Sequence, residues 1–253
     1  MIAWIFLLYL ENLYLILKIV KPYHQILIQD CGERLIQIPL DSFSLELPHP
    51  YVKLGAEYGD KSPFCLRQGV VQALLEAQFL IEKRYPGWKI KIYDAYRPVG
   101  VQQFMVNYTF DSLVKKLEIQ KEQLSDHQRQ DLWNKVYRLW AAPSLDHKMP
   151  PPHSTGAAVD VTIVNDRGET LDMGGEIDEV SERSHPDFYL GNQDGNNQQY
   201  HFNRQLLNRT MTNAGFMRHP DEWWHFSLGD QMWAWLRNQH NPTEQQVARY
   251  GRI

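Results

Sequence analysis

The 253-residue chain predicts an α+β fold, a single domain built as a mainly antiparallel sheet with flanking helices around a cleft. Three observations carry this. Long helical patterns alternate with well-separated strand patterns. The last strand signals are placed to return antiparallel to the earlier ones. No internal repeat or low-complexity tract breaks the order, and 43% hydrophobic with 22% charged residues suits one large globular unit.

The first element stands apart in composition. Met1 to Leu10 is nearly all apolar, Glu11 and Asn12 interrupt, and Leu13 to Val20 resumes with Lys18 inside. A spanning helix wants about 20 predominantly apolar residues, and Glu11 near the middle opposes that. A basic leader and a small-residue cleavage site are both missing. Residues 1–20 are therefore expected to be an apolar N-terminal segment, a peripheral helix or an extension from a misassigned start codon, with a weak membrane anchor or an atypical signal as the alternative. Residues 21–253 form the working domain.

Gln25 to Leu40 alternates enough (Ile26, Ile28, Ile36, Ile38) to predict short strands broken at Cys31-Gly32. Leu66 to Tyr85 predicts a helix, with Val70, Val71, Leu74, Leu75, Phe79 and Leu80 on one face and Pro86-Gly87 as the stop. Trp88 to Ile92 alternates strictly and delivers Asp94-Ala95-Tyr96-Arg97-Pro98 at its end. Gln123 to Ala142 predicts a second helix through Leu132, Val136, Leu139 and Trp140. Ala157 to Val164 predicts a strand, Asn197 to Ala214 a third long helix, and Gly215 to Leu228 a closing strand.

Two separated motifs carry the chemistry. His153-Ser154-Thr155-Gly156-Ala157-Ala158-Val159-Asp160 and, downstream, Glu222-Trp223-Trp224-His225 supply two imidazoles and a carboxylate. These are the usual ligand types of a catalytic zinc that keeps one position open. Glu222 is left over as a base beside the metal, the set that metal-assisted hydrolysis requires. Pro143 to Pro152 is loop, because its prolines cannot supply ladder donors, and it fixes where His153 points. Gly156 permits a bend, without which His153 and Asp160 would face opposite sides of a flat strand.

Alternation against Val159, Val161 and Ile163 places Asp160 on the cleft side. For Glu222 and His225 the pattern leaves two solutions open: a strand with a local bulge or twist, or a helix that sets i and i+3 together. His219, His185 and His201 are rival ligands. A His-Glu-x-x-His helix is absent from the sequence.

Taken together, these residues resemble the zinc D-alanyl-D-alanine dipeptidases of the vancomycin-resistance VanX type, which are related to zinc D,D-carboxypeptidases. The likeness runs from about Pro63 to Leu228. It includes Asp94-Ala95-Tyr96-Arg97-Pro98, Met173-Gly174 with Asp178, and Glu182-Arg183-Ser184-His185. It implies an α+β fold with a zinc cleft, one zinc per chain, and hydrolysis of D-alanyl-D-alanine to two D-alanines in cell-wall precursor turnover. Position by position, it implies His153, Asp160 and His225 as metal ligands and Glu222 as general base. Arg97 would stabilise the oxyanion, and Asp178 would hold the dipeptide's ammonium. In one place the chain departs from the pattern. Two residues before the first ligand the family carries Ser, and here Pro151 offers neither hydroxyl nor N–H for the substrate carboxylate.

Two other readings compete. One is a zinc D,D-carboxypeptidase acting on longer peptidoglycan-derived peptides, and the other a non-catalytic zinc-binding module. Asp178 favours the dipeptidase over the first, since an ammonium-binding carboxylate measures a free N-terminus. Glu222 weighs against the second, since a structural site needs no free base. The expected partner is a small dipeptide. A net charge of −4 gives no footprint for nucleic acid, and nothing in the pattern specifies an oligomer. Only Cys31 and Cys65 are present, which excludes a Cys-rich metal site and fits a reducing compartment. A cytoplasmic location is expected, with membrane association or the periplasm the alternative if residues 1–20 act as an anchor.

Overall fold

The strands with the firmest sequence signals lie side by side in the computed structural model, which describes residues 21–253. The described strands are β1 (Leu35–Gln37), β2 (Ser44–Leu45), β3 (Cys65–Arg67), β4 (Lys89–Asp94), β5 (Ala158–Val164), β6 (Met217–Arg218) and β7 (His225–Ser227). The described helices are α1 (Pro50–Lys53), α2 (Gln68–Arg84), α3 (Val99–Lys116), α4 (Asp126–Leu139), α5 (Gly195–Asn213) and α6 (Gln231–His240). A five-stranded sheet runs β2-β4-β5-β7-β6, and β1 with β3 makes a separate two-stranded sheet. Only β2 lies parallel to its neighbour; the other pairs are antiparallel. The apolar segment 1–20 lies outside the described residues.

Alternation decides which face of the sheet is apolar. Ile90 and Ile92 of β4 and Val159, Val161 and Ile163 of β5 are fully buried in one cluster. Leu74 and Ile81 of α2 and Leu207 and Met211 of α5 pack against them. Each such side chain contributes roughly 1.5–3 kcal/mol on burial. The other face of β5 carries Asp160 and Thr162, and it too is buried. A second cluster joins α3 to α4 through Val101, Met105, Val106, Phe110, Leu132, Val136 and Trp140, with Tyr51 of α1.

Several elements differ from the sequence pattern for identifiable reasons. Across 25–40 only Leu35–Gln37 is strand. Pro22–Gln25 is a 3-10 turn, and Ile28 makes an isolated bridge to Ala248, a partner that no local pattern reveals. The helix expected from Leu66 starts at Gln68, because Cys65–Arg67 pairs with β1. The 215–228 stretch is a hairpin of two short strands, with Met217 opposite Ser227 and Arg218 opposite Phe226. Helices α3 and α6 lie where the sequence pattern assigns no element. Gly100, Asn107 and Thr109 are poor helix formers that dilute the apolar stripe of α3. The cap of α6, Asp230 accepting from Trp233 N at 2.8 Å, was a readable signal.

Candidate active site

The sheet register assembles the first two candidate groups. Asp160 of β5 sits opposite His225 of β7 on one side and Asp94 of β4 on the other. The register shifts between Ile92 and Asp94, and a bulge of this kind re-aims a side chain at a strand end. Three ionisable groups therefore stand in a row across neighbouring strands.

The proline-led loop brings in the third candidate. Pro152–Thr155 forms a 3-10 turn, ended by Gly156 at φ 71°. The left-handed backbone of Gly156 favours glycine, and a Cβ there would also have to displace the side-chain end of Leu35, whose Cδ1 would lie 2.7 Å away. The turn is tied to the end of β4. Arg97 N donates to His153 O at 3.2 Å, and Ser154 Oγ donates to Arg97 O at 2.7 Å. His153 Nδ1 lies 2.7 Å from Ala95 O. A carbonyl can only accept, so Nδ1 carries the hydrogen and Nε2 keeps its lone pair.

That lone pair meets two others. His153 Nε2 lies 3.1 Å from His225 Nδ1 and 3.2 Å from Asp160 Oδ2, and His225 Nδ1 lies 3.0 Å from Asp160 Oδ1. All three side chains are buried. Tetrahedral zinc ligands at about 2.0–2.1 Å from the metal stand roughly 3.3 Å apart, so the triangle needs little change to hold one. This is the one group of three such donors among the described residues. Burial would raise the Asp160 carboxyl, but the His153 and His225 imidazoles outweigh it and hold it far below the usual range. Burial lowers the pKa of His225.

Glu222 occupies the turn between β6 and β7, in neither strand nor helix. This resolves the facing problem: the turn frees Glu222 from strand alternation, and its Oε2 lies 3.9 Å from His225 Nδ1. Burial, then the charges of Asp160 and Asp178, hold its carboxyl well above the usual carboxylate range. Of the rival imidazoles, only His219 reaches the pocket. It packs edge-on to His225 at 5.6 Å and is not in the donor triangle. His185 instead accepts from Asp187 N at 3.2 Å.

The opposite wall is a closed hydrogen-bond network around Arg97. Its Nε donates to Asp94 Oδ2 at 3.0 Å, Nη1 to Gln102 Oε1 at 2.9 Å, and Nη2 to Tyr51 OH at 2.9 Å and Asp160 Oδ2 at 3.3 Å. The Tyr51 and Trp140 rings each lie 4.8 Å from the guanidinium carbon. Tyr51 OH then donates to Asp178 Oδ2 at 2.8 Å. Asp178 has φ 65°, uncommon for a non-glycine residue. Burial, then the Asp160 charge, raises its carboxyl to about 7. Asp94 also accepts from His49 Nε2 at 3.0 Å and Tyr58 OH at 3.2 Å.

The pocket thus gathers Arg97, His153, Asp160, Asp178, Glu222 and His225. The sequence pattern had not pointed to Tyr51, His49, Tyr58 or Gln102. Tyr51, His49 and Tyr58 reach the site through contacts between distant segments, whereas Gln102 meets Arg97 from five residues further along the chain.

A family model described as D-ala-D-ala dipeptidase, peptidase M15, matches residues 45–246 and so spans every one of these six residues. The chain belongs to the peptidase M15 family. As a member it is a hydrolase of the peptidase class, and its site lies within the family region. A curated D-alanyl-D-alanine dipeptidase of Synechocystis sp. is 47% identical over 239 residues, covering 92% of this chain and 97% of that protein. The D-alanyl-D-alanine dipeptidase of Enterococcus faecalis is 30% identical over 169 residues, 65% of this chain and 73% of the relative. That of Escherichia coli is 45% identical over 84 residues, 30% of this chain and 37% of the relative. Among the described residues no helix is long and apolar enough to cross a membrane.

Proposed function

We propose that this site hydrolyses D-alanyl-D-alanine to two D-alanines, with one zinc ion per chain held by His153, Asp160 and His225. The observation that carries the reading is the buried cluster of His153, Asp160 and His225 with the Glu222 carboxyl beside it, 3.9 Å from His225 Nδ1. A zinc ion bound there supplies a Lewis acid and lowers the pKa of water towards about 7.

The protein's own residues do the rest. His153 is held in the required tautomer by Ala95 O. Glu222 takes the proton from the attacking water and returns it to the leaving amine, work worth about 10² to 10⁴ in rate. Arg97, fixed by Asp94 and Gln102, sets its positive charge beside the carbonyl oxygen as that oxygen gains charge. Asp178, positioned by Tyr51, pairs with the substrate ammonium and so measures a free N-terminus.

Residues 21–253 are proposed to carry the activity without the apolar 1–20 segment. A cytoplasmic location in cell-wall precursor turnover agrees with two cysteines that are both free. Mass-spectrometric product analysis tests the reading with D-Ala-D-Ala, L-Ala-L-Ala and N-acetyl-D-Ala-D-Ala. Only the first should be cleaved well, with the acetylated peptide worse by roughly two orders of magnitude because it offers Asp178 no ammonium to pair with. Equal rates on free and acetylated peptides would replace the dipeptidase reading with a carboxypeptidase one.

A further inference from the structure

A free dipeptide brings two charges, and Asp178 answers only the ammonium. Three cationic side chains line the same pocket: Arg97, Arg138 and Lys21. Arg97 has its donors taken by Asp94, Gln102, Tyr51 and Asp160. Arg138 is exposed and pairs with Glu182 at 2.8 Å. Lys21 differs from both. Its ammonium donates to Tyr137 O at 3.2 Å, and it has no ion-pair partner among the described residues. An ammonium has three donors, so two N–H groups have no partner among the described residues.

The position of Lys21 is built rather than incidental. It precedes the 3-10 turn Pro22–Gln25, whose Tyr23 is buried against Met232 and Leu236 of α6. Gln231 Nε2 donates to Ile26 O at 2.8 Å, closing the far side of that turn. Tyr137 lies in the last turn of α4, where unpaired carbonyls and the helix dipole favour a cation. Burial lowers the Lys21 pKa, while Glu222 and Asp221 pull it back up, which places the ammonium in the field of the Glu222 end of the pocket. The neighbouring backbone at Pro152 has no N–H to offer an anion.

We propose that Lys21 binds the C-terminal carboxylate of the substrate, in the same pocket as the amine-binding Asp178. The inference rests on the dipeptidase reading above and deepens it: the pocket then recognises both ends of a free dipeptide, and Lys21 sets the requirement for a C-terminal acid.

The test compares D-Ala-D-Ala with D-alanyl-D-alaninamide, in the full chain, for wild type, Lys21→Met and Lys21→Arg. Zinc content and Tm are followed alongside. Wild type should prefer the acid in kcat/KM by roughly ten- to hundredfold, the range of a charge-assisted hydrogen bond. Lys21→Met should lose that preference through KM, so that acid and amide are cleaved about equally, and Lys21→Arg should keep most of it. An undiminished preference in Lys21→Met overturns the proposal. So does a fall in kcat with a displaced pH profile and unchanged KM, which would make Lys21 a modulator of Glu222. Should Lys21→Met fail to fold, equal wild-type rates on acid and amide overturn it as well. A wild type inert on both compounds overturns the dipeptidase reading and this inference with it, whereas an active wild type with an unaltered variant overturns this inference alone.

Discussion

Two polar clusters share one pocket and are constructed in opposite ways. In the His153/Asp160/His225 triangle three lone pairs converge within 3.0–3.2 Å of one another. Around Arg97 nearly every donor meets an acceptor: Asp94 alone takes Arg97, His49 and Tyr58. The contrast shows how function can be read from hydrogen-bond accounting. Two imidazoles and a carboxylate buried within reach of one another are the proposed seat of a cation. A saturated network marks where geometry must not move.

The largest expected effect separates chemistry from metal binding. Glu222→Gln should keep its fold and its zinc yet lose at least about a hundredfold in kcat. Activity close to wild type would place the base elsewhere, with Asp178 the next candidate.

The Arg97 side of the contrast should fail by instability. Asp94→Ala leaves a buried guanidinium without its main carboxylate, and breaking such a pair costs about 3–5 kcal/mol. A chemical denaturation curve should show that loss. A stability within about 1 kcal/mol of wild type would mean that the network is not fixed by Asp94.

Asp178 sharpens the comparison because it titrates in the working range. Its carboxyl is raised to about 7 by burial and the Asp160 charge. Ammonium binding needs the ionised form, so below that value the ligand must expel a proton. Affinity for D-Ala-D-Ala should therefore rise as pH increases towards about 7 and fall again above about 8, where the substrate amine loses its proton. Asp178→Asn should flatten the dependence and shrink the preference for the free dipeptide over its N-acetyl form. A calorimetric titration with the same pH slope in wild type and Asp178→Asn would assign the proton to another group.

Gly156→Ala should have the smallest effect of this series. The left-handed φ of 71° and the 2.7 Å approach to Leu35 Cδ1 predict a loss of about 1–3 kcal/mol and a weaker hold on zinc through a tilted His153. Unchanged melting and zinc affinity would show that the bend tolerates a side chain.

Legibility in the sequence followed the range of the contacts. β4 and β5 were readable because alternation is local, and the two motifs were readable because each packs its ligand types into a few residues. Gly156 was readable as a bend because a bend is a property of its own backbone. The hairpin that carries Glu222 was not, since strands of two and three residues show too little alternation to separate from a single strand. Tyr51, His49 and Tyr58 escaped because they meet Asp94, Arg97 and Asp178 only after α1 and the segment behind it fold over the sheet edge. Lys21 was hidden for the same reason: it sits at the start of the described chain and reaches the site through α4 and α6.

The central claim is that the lone-pair triangle is the metal centre. Elemental analysis of dialysed wild type and of His153→Ala, Asp160→Ala, His225→Ala and Glu222→Gln tests it most directly. The account predicts one zinc per chain in wild type and in Glu222→Gln, and little or none in the three ligand variants. Full zinc occupancy in folded His225→Ala would contradict it.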